Sequence, residues 1–134
     1  MILKIEHLGI AVNDLESANK LFTSLLGTTP YKTETVQSEK VSTSFFQTGE
    51  SKIELLEATD PGSPVARFIE KYGEGIHHVA FEVDDIRETM KDLREKGFRI
   101  LSDEPMKGAD NKLICFLHPK STNGVLVELC QEIR

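Results

Sequence analysis

Two histidines and two glutamates carry the chemistry that is legible in this chain. His7 opens the stretch "HLGIAVNDL" and His78 opens "HVAFEVDDI"; the two align without a gap, 71 positions apart. Glu54 in "KIELL" and Glu128 in "LVELC" occupy a second pair of matching slots, 74 positions apart. The extra residues are placed at the hairpin "HPKSTNG", longer than its counterpart "QTGES", and a loop is where an insertion is tolerated. Taken singly, a histidine near a strand start is more often a hydrogen-bonded structural residue. A glutamate inside an apolar strand is odder, because burying an unpaired carboxylate costs several kcal/mol. Two imidazoles and two carboxylates in symmetric slots suit one borderline divalent ion: Zn²⁺, Co²⁺, Ni²⁺, Mn²⁺ or Fe²⁺. Two carboxylate charges balance such an ion and leave coordination positions open for a substrate.

Strand parity assigns these residues to one face. Side chains along a strand alternate sides. Leu8, Ile10 and Val12 point one way, and His7, Gly9 and Ala11 the other. Val79, Phe81 and Val83 share a face opposite His78 and Ala80. Glu54 opposes Ile53 and Leu55, and Glu128 opposes Val127 and Leu129. In all four strands the apolar side should pack on a helix, leaving the polar residue on the concave side of the sheet. His78, not its neighbour His77, therefore corresponds to His7, and His77 is expected to be a packing residue or a support for His78.

The elements that hold these positions repeat as well. After each histidine strand comes a helical pattern, "LESANKLFTSLLG" with apolar Leu15, Ala18, Leu21, Phe22, Leu25 and Leu26, and "IRETMKDLREKG" with Ile86, Met90 and Leu93. Both have spacing near 3.6 and both end at a glycine. Asn13–Asp14 and Asp84–Asp85 supply N-cap residues. Two strands follow in each half, 41–47 and 51–58, then 113–118 and 124–131, with a further short strand near "TPYKTET" and near "FRILSDE". The expectation is an α+β fold of two tandem βαβββ modules in a curved mixed sheet. It forms one domain, made of module 1–58, linker 59–75 and module 76–134. The linker contains a short helix from about Pro64 to Tyr72.

Composition narrows the partners. The chain has 134 residues and a formal net charge of −6, which disfavours nucleic acid and anionic membrane surfaces. No apolar run approaches the ~20 residues of a membrane helix, and "MILKIEHLGIAV" lacks the marks of a secretion signal. The two cysteines, Cys115 and Cys130, lie in apolar strand runs and read as buried thiols of a reduced, cytoplasmic protein.

The segments "HLGIAVNDLESA", "GEGIHHVAFEVDDI", "LSDEPMKGADN" and "FLHPKSTNGVLVEL" resemble the vicinal oxygen chelate, or glyoxalase-like, superfamily, and within it the methylmalonyl-CoA epimerases. The likeness spans nearly the whole chain. It implies interconversion of the two configurations at C2 of methylmalonyl-CoA by proton removal and return through a metal-stabilised enolate. Carried over by position, it implies His7, His78 and Glu128 as metal ligands, and Glu54 where relatives have Gln or Glu. The ion expected is Co²⁺, with Zn²⁺, Mn²⁺ or Ni²⁺ as alternatives. The resemblance also implies an acyl-CoA substrate and a homodimer.

One departure bears on mechanism. Some epimerases carry a glutamate in the strand that here reads "VSTSFF", where it is proposed as a base; here that position is Thr43. Glu54 and Glu128 are left as the acid/base pair. Lys107, Lys112 and Lys120 are candidates for phosphate or carboxylate contacts, against the plainer reading of solvated loop lysines. Rival readings on the same scaffold are a glyoxalase I-type lactoylglutathione lyase, an Fe(II) extradiol dioxygenase, for which a second carboxylate is uncomfortable, and a metal-free small-molecule-binding protein, which would have no reason to keep all four His/Glu slots.

Overall fold

The repeat seen in the sequence is a repeat of backbone. In the computed structural model, which describes residues 1–133, the first copy runs β1 (Ile2–Ala11), α1 (Leu15–Leu26), β2 (Lys32–Val36), β3 (Val41–Thr48) and β4 (Ser51–Ala58). After α2 (Pro64–Tyr72) the second copy runs β5 (Gly75–Val83), α3 (Ile86–Glu95), β6 (Met106–Gly108), β7 (Lys112–Leu117) and β8 (Val127–Glu132). The hydrogen-bonded order is β2-β3-β4-β1 in the first copy and β6-β7-β8-β5 in the second, the same arrangement twice. β1 pairs parallel with β4, and β5 parallel with β8; the other ladders within each copy are antiparallel. The result is the expected mixed-sheet α+β fold.

By compactness the chain forms two units. One is residues 7–77. The other joins residues 1–6 to the chain from His78 onward, so the boundary falls inside β1 and inside β5.

In residues 7–77, the parity argument holds on both faces. Ile10, Val12, Ile53, Leu55 and Phe46 pack against Leu15, Ala18, Phe22 and Leu26 of α1. Leu21 and Leu25, part of the apolar pattern in the sequence, instead face solvent. Gly27 ends the helix with φ 73°, a left-handed conformation that suits glycine, and its N–H reaches the Thr23 carbonyl at 2.9 Å. The linker helix α2 is more than a connection. Its Val65, Phe68 and Ile69 pack with Ala11, Val41 and Leu56, on the face of the strands that also bears His7 and Glu54. Pro64 at its first position and Ser63, whose hydroxyl accepts from the Val65 N–H at 3.1 Å, start it at the expected residue.

In the other unit, Phe81, Val83, Leu113, Cys115, Leu117, Val127 and Leu129 pack with Ile86, Met90 and Leu93 of α3. The opposite face is lined by Ala80, Ile114, Cys130 and Phe116. Here one expected strand moved. "FRILSDE" keeps a single bridge, Ile100 to Leu117, and the regular strand forms later, at Met106–Gly108. The reason is local: Arg94 Nη2 donates to the Ser102 carbonyl at 2.6 Å and Ser102 Oγ donates to the Glu104 carbonyl. Those bonds fold 102–104 into a turn before Pro105, which has no N–H to give a ladder. The last strand also starts later than expected, at Val127, because the turn runs on: the Gly124 N–H bonds the Pro119 carbonyl at 2.8 Å and the Val125 N–H the Thr122 carbonyl at 3.1 Å.

The helix starts show what the sequence did not. Asp85 caps α3 as expected, accepting from the Glu88 N–H at 3.1 Å. Asp14 makes no such cap for α1 and instead accepts from Ser17 Oγ. The first N–H of α1, on Leu15, is taken by Glu57 Oε1 at 2.6 Å, and the first N–H of α3, on Ile86, by Gln131 Oε1 at 2.7 Å. Glu57 and Gln131 each lie three residues after the glutamates of interest. Each helix is thus tied to the strand that carries one of them.

Candidate active site

Each copy folds one histidine and one glutamate into contact. In the first, parallel pairing of β1 with β4 sets His7 opposite Lys52 and Gly9 opposite Glu54. Both polar side chains turn to the α2-bearing face, nearly without exposure. His7 Nδ1 stands 3.0 Å from Glu54 Oε2. In the second, β5 and β8 set Ala80 opposite Glu128, and His78 Nε2 stands 3.4 Å from Glu128 Oε1, again buried. The pairs use different ring nitrogens, so the copies are similar but not identical.

Each pair sits against an aromatic ring. Phe45 is directly opposite Glu54 in the β3/β4 ladder, and Phe116 is directly opposite Glu128 in the β7/β8 ladder. Phe116 meets the His78 ring edge-on at 6.1 Å. Phe45 packs with Tyr31 at 5.8 Å and carries the Lys32 ammonium over its face at 5.1 Å. Phe45 and Phe116 are 71 positions apart, the spacing of the histidines, so that spacing was the available signal for a feature missed in the sequence.

The donor sets fit a divalent ion. Imidazole nitrogen and carboxylate oxygen each bind such ions at about 2.0–2.2 Å. Two neighbouring ligands at that length lie about 3.0 Å apart at a right angle and about 3.4 Å apart at the tetrahedral angle. The observed separations match those two spacings. A buried carboxylate needs a compensating positive partner, which the neighbouring imidazole or a bound cation can supply.

The remaining groups sort by their surroundings. His77 stands edge-on to Phe68 of α2 at 5.0 Å, and burial pushes its imidazole pKa down. Cys115 and Cys130 are both buried, and burial with the Glu128 charge pushes the Cys115 thiol up to about 11. Lys112 is not a loop lysine: it is buried in β7 with its ammonium 3.9 Å from Glu132, its partner in register. Lys107 and Lys120 are exposed. Lys120 lies in the 3₁₀ turn whose start His118 caps, with Nδ1 accepting from the Lys120 N–H at 3.0 Å. Thr43 is buried on the Glu54 face, opposite Leu56.

Two carboxylates escaped the sequence reading. Glu6, one residue before His7, is almost fully buried; its place in an apolar strand run was the signal. Glu39 lies in the 3₁₀ turn Gln37–Glu39 between β2 and β3. Burial raises its carboxyl pKa, and the nearby charge of Glu54 raises it further.

A twice-built βαβββ unit with a His–Glu pair in each copy is the architecture of the glyoxalase-like proteins. The family model described as the Glyoxalase/Bleomycin resistance protein/Dioxygenase superfamily matches residues 6–116, and the chain belongs to that superfamily. Within it, the chain is 43% identical to an ethylmalonyl-CoA/methylmalonyl-CoA epimerase of Cereibacter sphaeroides, over 98% of this chain and 99% of that protein. It is 41% identical to the mitochondrial methylmalonyl-CoA epimerase of Bos taurus, over 96% of this chain and 74% of that one. Its fold superposes with a TM-score of 0.94 on a Streptomyces coelicolor methylmalonyl-CoA epimerase variant in complex with 2-nitronate-propionyl-CoA, at 35% identity and with both chains fully covered. These relatives are isomerases.

Proposed function

We propose that this chain epimerises methylmalonyl-CoA at C2, using a divalent ion held by His7, Glu54, His78 and Glu128. The observation that carries the reading is the coincidence of end-to-end similarity to an epimerase with a buried His–Glu pair in each copy of the repeat. When bound, the ion supplies Lewis-acid stabilisation of the thioester oxygen as charge builds there. The chain's own part is proton movement. Glu54 and Glu128 are the carboxylates for removing the C2 proton and returning one to the opposite face. Phe45 and Phe116 supply apolar walls that keep water from the charge developing beside each glutamate. Co²⁺ is the ion we propose, with Zn²⁺, Mn²⁺ and Ni²⁺ able to bind the same donors.

The test has two readings. Purified protein is assayed for bound divalent metal, then incubated with (R)- or (S)-methylmalonyl-CoA in D₂O while deuterium at C2 is followed by mass spectrometry. Metal binding at micromolar concentration, with deuterium incorporated from both configurations, is expected. A protein that neither binds a divalent ion nor exchanges the C2 proton would sink the proposal.

A further inference from the structure

β3 carries three hydroxyls in a row, Ser42, Thr43 and Ser44. Ser42 and Ser44 share the face of Phe46, which packs against α1, and both are paired. Ser42 bonds Thr35 at 2.9 Å and Ser44 bonds Thr33 at 3.3 Å, each directly across the β2/β3 ladder. Thr43 points to the other face, opposite Glu34 of β2 and Leu56 of β4. It is 1% exposed, and its hydroxyl bonds no other group among the described residues. The other buried polar side chains of residues 7–77 all have partners: His7 with Glu54, Ser44 with Thr33, and Ser63 with the Val65 N–H.

A hydroxyl taken so far from water without a partner costs free energy, so its persistence calls for a use. Nor is it sealed in. Among the described residues, the one side-chain oxygen enclosed without a partner is Asn19 Oδ1; the Thr43 oxygen is therefore open, and the sliver of surface the residue keeps belongs to it. Along β3 this donor stands between Val41, which packs beneath α2, and Phe45. Phe45 is directly opposite Glu54, which makes Glu54 the diagonal neighbour of Thr43. Diagonal side chains in a sheet are rooted about 7–8 Å apart, so one small molecule that reaches Glu54 reaches Thr43 as well. Beside the Glu54 charge, with Leu56 and Val41 as apolar neighbours, a neutral donor suits an uncharged oxygen better than a second carboxylate.

We propose that Thr43 is a catalytic hydrogen-bond donor whose hydroxyl donates to the thioester carbonyl oxygen of the substrate. The inference rests on the epimerase reading above and adds a contact which that reading lacks. A threonine hydroxyl is no base at neutral pH, so the proton stays on Oγ1 and no bond is made or broken there. The carbonyl oxygen is uncharged in the bound substrate and gains negative charge as the C2 proton leaves. The hydrogen bond strengthens toward the transition state, and its removal falls on kcat rather than on KM.

The experiment compares Thr43→Val, Thr43→Ser and Ser44→Ala with wild type for melting temperature and for kcat and KM on methylmalonyl-CoA. Valine keeps the branched shape and deletes the donor. Thr43→Val is expected to melt at the wild-type temperature or above, because the donor it removes has no partner in the protein. It should lose about 10- to 100-fold in kcat, with KM within about twofold of wild type. Thr43→Ser restores the donor and should recover most of the rate. Ser44→Ala, on the opposite face, should do the reverse: melt lower and keep its kcat. The inference is overturned by a Thr43→Val variant with wild-type kcat, and equally by one that melts several degrees lower or fails to fold, since the hydroxyl would then be structural. A loss that Thr43→Ser does not recover, or that Ser44→Ala shares, assigns the effect to the packing of β3 and also overturns it. Wild-type protein that leaves methylmalonyl-CoA unchanged refutes the epimerase reading, and the ligand assigned to Thr43 with it, a result seen before any variant is compared.

Discussion

The bond from Glu57 to the start of α1 gives a prediction whose size follows from the coordinates. Glu57→Leu removes the carboxylate that takes the Leu15 N–H at 2.6 Å. Leu15 is buried, so water has little room to replace the lost acceptor. A buried donor stripped of its partner costs about 1–3 kcal/mol, and the charged acceptor at a helix N-terminus puts the figure near 2 kcal/mol. An unfolding entropy of about 2.1 cal/mol/K per residue, over a chain of this length, makes each kcal/mol worth about 4 °C. Glu57→Leu should therefore melt about 7 °C lower by calorimetry or circular dichroism. Glu57→Gln keeps an acceptor and loses only the charge. The second copy already caps α3 with an uncharged Gln131, so this variant should lose about half as much. Equal melting of both variants, each within about 1 °C of wild type, would refute the reasoning.

Other outcomes follow from the same coordinates. His78→Ala should lower bound metal sharply, read by elemental analysis, while His77→Ala should keep metal and lose about 1 kcal/mol of stability with its ring contact to Phe68; equal metal loss would show the register to be misassigned. Glu128→Gln should retain metal through its amide oxygen and fall about 100-fold or more in epimerisation, since it cannot take a proton; a wild-type rate would remove Glu128 from the proton path. Gly108→Ala should destabilise by about 1–3 kcal/mol in urea, because a new Cβ would lie 2.7 Å from Ile114 Cδ1 in a buried spot; an unchanged midpoint would refute the clash. Cys115 has its pKa raised from 9.0 to about 11 in the fold, so its contribution is complete below pH 9 and is lost as pH rises towards 11, by about 2–3 kcal/mol. Urea melts across that range should show the slope in wild type and lose it in Cys115→Ala.

The His and Glu slots were legible because the chain writes them twice and strand parity is a strict period of two. Val12 with Leu15, and Val83 with Ile86, sit where alternation put them. The helix ends at Gly27 and the span of α2 were legible from local chemistry, glycine at one and Ser–Pro at the other. What failed to show depends on partners distant in sequence. Glu57 reaches Leu15 across 42 positions and Gln131 reaches Ile86 across 45, and no local rule flags either. The strand expected at "FRILSDE" gave way where Arg94 of α3 bonds the Ser102 carbonyl and Ser102 bonds Glu104 ahead of Pro105.

The boundary inside β1 has a consequence for how the protein is made. Residues 1–6 cluster with the chain from His78 onward. The Asp84 N–H bonds the Met1 carbonyl, and the terminal ammonium lies 2.9 Å from the Asp84 carboxylate. A ribosome adds about 5–20 residues per second, so the first strand segment waits roughly 4–14 s for its partners. During that interval it is a short apolar strand with Ile2, Leu3 and Ile5 and no completed sheet beside it, the kind of segment that pairs with another nascent chain. Yield from a cell should therefore depend on translation speed through the interval between residues 7 and 77, a stretch that fixes how long those six residues stand alone.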